Sequence, residues 1–339
     1  MSTQQSKPVS PELFFDTLNA HQKTAVLKGA LELDLFTAIA EGNATAAEIA
    51  ARCEATERGT RIICDYLTVN GFLTKADGRY ALTPDSAVFL DRRSPAYVGG
   101  AARFLLSPML RDAFSDVAAL VRKGTTTLPE GGSVAPEHDA WVDFAHSMAG
   151  MMMAAAEFIA DVLDFGDRPA RVLDIAAGHG TFGVTIARRA PAAEIVALDW
   201  PAVLEVAKEN AEAAGVSARY STIAGDAFEV DFGGGYDAVL LTNFLHHFDP
   251  PTCVRLLEKV RAALAPGGRV VTLEFVPNDD RVTPGPAATF SMIMLATTPA
   301  GDAYTFSELE RMFADAGFAR SEHHHVPPAD FHSVVLSHV

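Results

Sequence analysis

The sequence predicts an α/β fold preceded by a mostly α-helical part with a winged-helix pattern. Apolar residues recur at helical spacings of three, four and seven over residues 12–40. A hairpin signal follows two further helical stretches. From Arg171 onward, short apolar or β-branched runs alternate with amphipathic stretches, which is typical of βαβ units around a parallel sheet. The chain of 339 residues is long enough for about two domains.

The N-terminal elements are predicted from periodicity and capping. Residues 12–40 form either two amphipathic helices or one helix bent at Gly29. Thr45 precedes Glu48 by three residues, which is a capping box, and Thr56 starts a helix that ends near residue 71. Two short apolar runs flank Asp77-Gly78, a turn signal that predicts a β-hairpin. Helix, helix, hairpin is the order of a winged helix.

The charge balance argues against nucleic-acid binding by this winged helix. The chain has 27 Lys and Arg against 43 Asp and Glu, a formal net charge of −16. Residues 42–90 carry six acids and five bases, so they offer phosphate groups no basic surface. We therefore expect a packing or dimerisation module rather than a DNA-binding one.

Other features of the chain favour a cytoplasmic protein. The three cysteines, Cys53, Cys64 and Cys253, have no CxxC spacing, which argues against a disulfide framework or a zinc ribbon. We find no secretory signal and no apolar run of the roughly 20 residues that a membrane-spanning helix needs.

The C-terminal half carries five predicted strands, and the region before it is predicted as helical. Residues 94–163 read as mostly helical, with a loop over residues 124–136. Predicted helices lie at residues 184–190, 201–214 and 251–265. The strands between them are RVLDIA, EIVALD, ARYSTIAGD, YDAVLLTN and GRVVTLEFV.

Glycines and acids follow three of these strands in order. The first strand runs into AAGHGTFG, which carries Gly178 and Gly180, and glycines there allow a ligand to approach the backbone closely. Asp199 ends the next strand, where an acid accepts hydrogen bonds from ribose hydroxyls, and Asp226 follows the third. Each acid taken alone is better explained by a loop or helix-cap role, but the three together and in order favour a nucleoside pocket.

The missing parts of two motifs narrow the choice of nucleoside. Ala176 stands where a strict GxGxxG would begin, which disfavours a dinucleotide. The loop has no Walker lysine, which disfavours a nucleoside triphosphate. An adenosine without phosphates remains, and its usual form in enzymes is S-adenosylmethionine.

At this point the chain resembles a known family. VLDIAAGHG, the acid of ALDWP, and AGDAF resemble the class I S-adenosylmethionine-dependent methyltransferases. NFLHHFDP, LLEKVRAALAPGGRVV and YTFSELERMFADAGF, in that order, resemble more narrowly the two-domain small-molecule O-methyltransferases, which include plant caffeate and acetylserotonin enzymes and bacterial polyketide and bacteriochlorophyll enzymes. The resemblance covers residues 14–336.

The resemblance implies an organisation and partners. It implies a winged-helix dimerisation domain over residues 1–95, a helical connector that contributes to the acceptor pocket over residues 96–165, and a Rossmann-like S-adenosylmethionine-binding catalytic domain over residues 166–339. It implies a homodimer that binds S-adenosylmethionine and a small-molecule acceptor, releases S-adenosylhomocysteine and uses no metal, nucleic acid or membrane.

The resemblance also assigns the cofactor site and the base. His246 would be the general base and Glu274 the carboxylate that orients it. His247 stands where the family often has Asp; we expect it to orient loops or to cap the helix near Pro251 rather than to act in the chemistry. The methionine end, ribose and adenine of the cofactor would contact Asp174, Gly178, Gly180, Asp199, Trp200, Asp226, Phe228 and Asn243.

The acceptor pocket, by family position, draws on two Met-rich stretches. Met and Phe at helical spacing are also typical of plain core, but both stretches fall where relatives bind acceptors. The residues are Trp141, Phe144, His146, Met148, Met151, Met292, Ile293 and Thr298, with Met294 beside them. The run His323-His324-His325 is predicted as an edge strand rather than a metal site.

Two departures from the plant enzymes leave the acceptor atom open. Ala303 falls at the family's second carboxylate and Thr242 at its lysine. The first hypothesis is methylation of a hydroxyl on a small, largely apolar or aromatic metabolite. Methylation of sulfur or carbon without a base is the alternative, and a ligand-responsive winged-helix regulator is a third hypothesis from another class.

Overall fold

The computed structural model describes residues 9–138, 140–327 and 332–339. The chain divides into two compact units between Ala102 and Arg103. Residues 103–165 therefore belong to the same unit as the sheet, whereas the sequence analysis assigns residues 96–165 to a connector. The division into three domains stays a prediction.

The first unit has the predicted order of helices and hairpin. Its first stretch consists of two helices. They are separated at Asp34, which has the left-handed conformation with φ 56°, whereas Gly29 lies within the first helix. The elements are α1 (Glu12–Glu32), α2 (Leu35–Ala40), α3 (Ala46–Arg52), α4 (Glu57–Val69), β1 (Leu73–Ala76), β2 (Arg79–Leu82) and α5 (Pro84–Phe89).

The local signals in this unit act as the sequence predicts. The Thr45 side chain accepts from the Glu48 amide, and the Glu48 carboxylate accepts from the Thr45 amide, which completes the capping box. Asp77 and Gly78 both have positive φ, as a two-residue hairpin turn requires. Residues of α2, α3, α4 and the hairpin pack into one apolar core.

The second unit alternates helices and strands. A 3₁₀ turn, Gly99–Ala101, and α6 (Ala102–Leu105) lie at the junction of the units. The remaining elements are α7 (Pro108–Ala113), α8 (Val117–Lys123), α9 (Ala140–Leu163), β3 (Ala170–Ile175), α10 (Thr181–Arg189), β4 (Ala193–Asp199), α11 (Pro201–Ala213), β5 (Tyr220–Ala224), β6 (Tyr236–Thr242), α12 (Pro250–Ala263), β7 (Leu264–Glu274), α13 (Gly285–Thr297), α14 (Phe306–Asp315), β8 (Arg320–His325) and β9 (Ser333–His338), with 3₁₀ turns at Pro129–Val134, Ser217–Arg219 and Leu245–His247.

The seven strands of this unit form one sheet in the order β5-β4-β3-β6-β7-β9-β8. The five predicted strands, β3 to β7, are parallel, and β9 pairs antiparallel with both β7 and β8. The chain order reverses beside β3, which pairs with β4 on one side and β6 on the other. Ligands of open α/β sheets bind at the carboxyl ends of the strands at such a reversal.

The histidine run and the three cysteines have these places in the structure. The histidine run forms β8, the edge strand, where His323 stacks on Phe306 with ring centroids 5.0 Å apart. All three cysteines are free thiols. Within the described residues, no three His, Cys, Asp or Glu side chains are grouped to hold a metal ion, and no helix has the length and apolar character needed to cross a membrane.

Candidate active site

A cavity of about 540 Å³ lies at the carboxyl ends of the parallel strands in the second unit. One side, which we call the strand-end side, is lined by residues 176–179, 198–200, 225–228 and 242–244. The opposite side, the helix side, is lined by side chains from α6, α7, α9 and α13 and by Phe275. His246 and His247 also line the cavity.

The turn after β3 brings backbone amides to the cavity. Ala176, Gly178 and Gly180 all have positive φ, and Gly178 lines the cavity. Gly180 does not line it; this residue is the N-cap of α10. A Cβ there would lie 2.6 Å from the Tyr220 hydroxyl and 3.0 Å from the Ala207 Cβ, so Gly180 permits close packing beneath the turn.

Asp199 holds this turn from the end of β4. Its Oδ2 accepts from the Gly178 amide at 2.8 Å, and its Oδ1 accepts from the Trp200 amide at 2.7 Å. Burial raises the pKa of Asp199 to about 6, against the lowering effect of these two hydrogen bonds. The carboxylate and the Trp200 side chain both line the cavity, in the place predicted for a ribose site.

Asp174 lies beneath the turn rather than in the cavity wall. It is fully buried, and its Oδ2 accepts from the Gly183 amide at 3.2 Å. Its Oδ1 has no hydrogen-bond partner among the described residues. Burial raises the pKa of Asp174 to about 7. Asp174 therefore supports the turn, and it is not among the side chains that line the cavity.

The remaining predicted cofactor residues all line the strand-end side. Asp226 accepts from the Phe228 amide at 2.8 Å, and the Phe228 ring packs edge-on against Phe248. Asn243 has φ 54°, and its amide nitrogen donates to the Met152 sulfur at 3.6 Å. The structure thus brings an acid, an aromatic ring and an amide to the ends of β5 and β6.

His246 and Glu274 form a buried pair across the ends of β6 and β7. The two residues are 4% and 3% exposed. Glu274 Oε2 contacts His246 Nδ1, while Oε1 accepts from the Leu245 amide at 2.9 Å and the Phe244 amide at 3.1 Å. Because a carboxylate oxygen accepts, His246 Nδ1 carries the proton, and Nε2 of the neutral ring is left with a free lone pair.

Gly301 permits the close approach of another segment to this pair. A Cβ at Gly301 would lie 2.2 Å from the His246 carbonyl oxygen, which the Asp302 amide also contacts at 3.0 Å. No sequence motif described above includes Gly301. Of the two positions where plant enzymes differ, Thr242 lines the cavity, whereas Ala303 is buried outside its lining.

His247 lines the cavity beside His246, and the prediction that it caps the next helix is wrong. Asp249 caps α12, since its side chain accepts from the Thr252 amide at 3.0 Å. The His247 ring lies 4.3 Å from the His246 ring and edge-on to Trp141 at 5.3 Å, measured between centroids. Burial and the adjacent His246 hold the pKa of His247 well below its usual range.

Most of the predicted acceptor residues lie on the helix side or next to it. Trp141, Phe144, Met148, Met151 and Ile293 line the cavity, as does Met294. The Trp141 indole donates to the Ser133 carbonyl at 2.9 Å, which fixes its ring.

Three predicted acceptor residues point away from the cavity. His146 is exposed on α9, and Met292 packs with Ala113, Leu120 and Ala296. Thr298 is buried, and its hydroxyl donates to the Met294 carbonyl at 2.7 Å and accepts from the Gly301 amide at 2.9 Å. None of the three is in the cavity lining. For His146 and Met292 the reason is that successive helical residues turn by about 100°, so neighbours in sequence face different ways.

Comparisons with known proteins decide the family. Residues 15–92 match the O-methyltransferase dimerisation domain, and residues 137–319 match the O-methyltransferase domain. The chain belongs to the O-methyltransferase family. It is an S-adenosylmethionine-dependent enzyme with an α/β catalytic domain, as the sequence predicts.

Individual relatives extend over nearly the whole O-methyltransferase. The 3-hydroxy-5-methyl-1-naphthoate 3-O-methyltransferase of Streptomyces sahachiroi is 32% identical over 91% of this chain and 89% of its own length. A crystal structure of a protein from Nostoc punctiforme, provisionally assigned as an O-methyltransferase, is 51% identical, with a TM-score of 0.93, over 98% of this chain and all of its own. Human N-acetylserotonin methyltransferase, solved with S-adenosylmethionine, shares the fold with a TM-score of 0.83 at 21% identity, over 100% of this chain and 99% of that one.

The O-methyltransferase cavity also has lining residues that the sequence analysis missed. Phe104, Met109 and Leu110 come from α6 and α7, while Phe275 and Phe290 stack with their ring centroids 3.8 Å apart. No motif marks these residues, because they come from segments far apart in the sequence. The one sequence signal that could have marked a lining residue is an aromatic residue directly after Glu274, and it applies to Phe275 alone.

The lining is almost free of ionic groups. Of the described residues in the cavity wall, only Asp199 and Asp226 are acidic, and none is Lys or Arg. Both acids are on the strand-end side. The helix side of this O-methyltransferase is therefore mainly apolar and aromatic. Among the described residues, it has no Lys or Arg that could pair with a carboxylate on an acceptor.

Proposed function

We propose that this O-methyltransferase methylates a hydroxyl on the ring of a flat aromatic metabolite that carries no carboxylate near the reacting group, with His246 as general base. The buried His246–Glu274 pair is the observation that carries the proposal, because it leaves a basic nitrogen at the cavity between the strand-end side and the helix side. Glu274 is the residue that positions this base.

The proposed proton transfer follows from the tautomer of His246. With Nδ1–H bound by Glu274, Nε2 accepts the proton of the acceptor hydroxyl. The oxygen then forms a bond to the methyl carbon as the carbon–sulfur bond breaks, and sulfur keeps the electron pair. A phenol with pKa of about 10 needs such a base, and imidazole supplies one near neutral pH.

The strand-end side fits S-adenosylmethionine, which supplies an activated methyl group on a sulfonium. We infer that Asp199 accepts from the ribose hydroxyls, because its carboxylate lines the cavity at the end of β4. Asp226 and Phe228 meet the adenine, Trp200 covers the adenosine, and Asn243 and Gly178 approach the methionine end. Asp174 and Gly180 act indirectly, by shaping the turn that holds Gly178.

The helix side supports an aromatic acceptor. Stacked and edge-on rings prefer flat aromatic partners, and methionine side chains adapt to their outlines. The Streptomyces sahachiroi relative methylates a hydroxynaphthoate, according to its name. Since no Lys or Arg lines the described wall, burial of a carboxylate on this side would be unfavourable.

We also propose that the enzyme works as a homodimer. Residues 15–92 match the dimerisation domain, and four apolar side chains on the first half of α1 are exposed: Leu13, Phe14, Phe15 and Leu18. Exposed apolar groups of this density are typical of interfaces. Light scattering tests this: we expect twice the chain mass, and a monomer would contradict the proposal.

Replacement of His246 tests the base. We expect His246→Ala to lower kcat by roughly 10²- to 10⁴-fold on hydroxylated naphthalenes and anthraquinones, the usual contribution of a general base. Binding of S-adenosylmethionine, measured by calorimetry, should be unchanged. His325→Ala, an exposed histidine on β8, is the matched control. Retained turnover by His246→Ala would contradict the base and favour an acceptor atom that needs none.

A further inference from the structure

The buried imidazole of His247 has no role in the proton transfer described above. It lies beside the proposed base, is 9% exposed and lines the cavity. Its Nδ1 is buried and has no hydrogen-bond partner among the described residues. The described residues thus do not account for the hydrogen-bonding capacity of this ring, and a molecule in the cavity that it lines can meet the other nitrogen, Nε2.

The surroundings of His247 determine which group its ring offers. A buried N–H without an acceptor is rarer in proteins than a buried acceptor without a donor, so Nδ1 is the nitrogen without the proton. The neutral ring then carries its proton on Nε2, and because Nδ1 is buried, Nε2 is the ring nitrogen left to meet a molecule in the cavity. His246 has the opposite tautomer, because Glu274 accepts from its Nδ1. The two neighbouring histidines thus present one hydrogen-bond acceptor and one donor.

The two rings are close enough to serve one acceptor molecule. Their centroids are 4.3 Å apart and their planes are tilted by 55°. The His247 ring is fixed against Trp141, whose indole donates to the Ser133 carbonyl. Two oxygens on adjacent or peri positions of an aromatic skeleton lie within hydrogen-bonding distance of each other, so two neighbouring rings can meet one oxygen each.

We propose that His247 donates a hydrogen bond to a carbonyl oxygen next to the hydroxyl that is methylated, and so selects ortho- or peri-hydroxy carbonyl compounds. This proposal rests on the proposed function of His246. In such compounds the hydroxyl is hydrogen-bonded to its own carbonyl, which holds the proton. A donor on the carbonyl weakens that internal bond and frees the proton for His246. The carbonyl itself is unchanged by the reaction.

Positional isomers test this selection. The probes are 1-hydroxyanthraquinone and 2-hydroxyanthraquinone, with 2′-hydroxyacetophenone and 4′-hydroxyacetophenone as a smaller pair. We expect the wild-type enzyme to have the higher kcat/KM for the isomer with hydroxyl and carbonyl adjacent. His247→Phe should lower kcat/KM for that isomer by roughly 10- to 100-fold, the effect of one lost buried hydrogen bond, and should lower it less for the other isomer, so that the preference is lost.

A second variant keeps the test independent of packing. His247→Gln retains an N–H near the position of Nε2 and should keep the preference for the adjacent isomer. His325→Phe is a control for an added aromatic residue on the surface. Calorimetry with S-adenosylmethionine shows whether each variant is folded; if His247→Phe is not, the wild-type preference and its retention in His247→Gln decide.

The outcomes separate this inference from the proposed function. Equal losses on both isomers in His247→Phe, no wild-type preference, turnover of neither pair, or loss of the preference in His247→Gln would each overturn the selection by His247. None of these outcomes alters the expectation for His246→Ala on other phenols. Activity retained in His246→Ala would instead contradict the base, whatever the isomer preference.

Discussion

The strand-end side and the helix side of the cavity are built by different means. On the strand-end side, backbone amides fix each acid: Asp199 accepts from two of them and Asp226 from one. On the helix side, the wall consists of side chains such as Met151 and Ile293, which no hydrogen bond holds. One side is fixed by the backbone and the other by packing.

This difference separates the two substrates. A fixed arrangement of amides and carboxylates suits a cofactor whose polar groups are always the same, whereas apolar side chains can be exchanged without moving the backbone. We therefore expect substitutions on the strand-end side to change cofactor KM, and those on the helix side to change acceptor KM. The His246–Glu274 pair lies between them and should affect kcat.

Glu274→Gln should produce the largest effect among the predictions that follow. The side-chain amide of the new Gln would present either its N–H or its carbonyl to His246 Nδ1. When the N–H faces Nδ1, the proton of the imidazole moves to Nε2, and Nε2 can no longer act as the base. We expect kcat to fall by roughly 10²- to 10⁴-fold, the upper value being the loss that the corresponding replacement causes in a Ser-His-Asp triad. The KM for both substrates should change little. Glu310→Gln, exposed on α14, is the control.

Asp199→Asn sharpens the comparison on the strand-end side. Loss of a charged acceptor should raise the KM for S-adenosylmethionine by roughly 10- to 100-fold and leave the acceptor KM unchanged. Burial raises the pKa of Asp199 to about 6, so in the wild-type enzyme the carboxylate is lost as pH falls through 6. Cofactor KM should therefore rise below pH 6 in the wild type and stay flat in Asp199→Asn. A parallel rise in both would assign the pH effect to another group.

Asp174→Asn tests how much stability the protein loses by burying a carboxyl group beneath the turn after β3. Burial raises the pKa of Asp174 from its ordinary value of 3.8 to about 7 in the folded state. Between these values the unfolded chain is ionised while the folded chain keeps the proton, so wild-type stability falls as pH rises from 4 to 7. The variant lacks this loss. We expect it to gain about 1–3 kcal/mol over the wild type at pH 8 relative to pH 5.

Chemical unfolding of the cofactor-free protein at the two pH values measures this difference. Asp16→Asn, exposed on α1, is the control and should show no change between them. A variant that is equally destabilised at both pH values would mean that the Asp174 carboxylate is ionised in the folded protein at no cost.

The same contrast explains what could be predicted from the sequence. Asp199, Asp226 and Gly178 are predictable because each lies at the end of a strand or within three residues after it, and parallel strands bring their ends to one edge. On the helix side the rotational phase of each helix decides which side chains face the cavity, and a shift of two residues separates Met292, which packs elsewhere, from Met294, which lines it. Phe104 and Phe290 reach the same cavity only through tertiary packing, which no local sequence pattern records.

Met151→Ala should produce the smallest effect and confine it to the helix side. Removal of an apolar side chain from the wall should raise the KM for small acceptors by about three- to tenfold, because roughly 1 kcal/mol of apolar contact is lost. Acceptors with an additional fused ring should be affected less, since they fill the space. Met153→Ala is a matched control on the same helix, because Met153 is 44% exposed. A change in the KM for S-adenosylmethionine in Met151→Ala, absent from Met153→Ala, would show that the two sides are coupled and that the packing of α9 also sets the cofactor site.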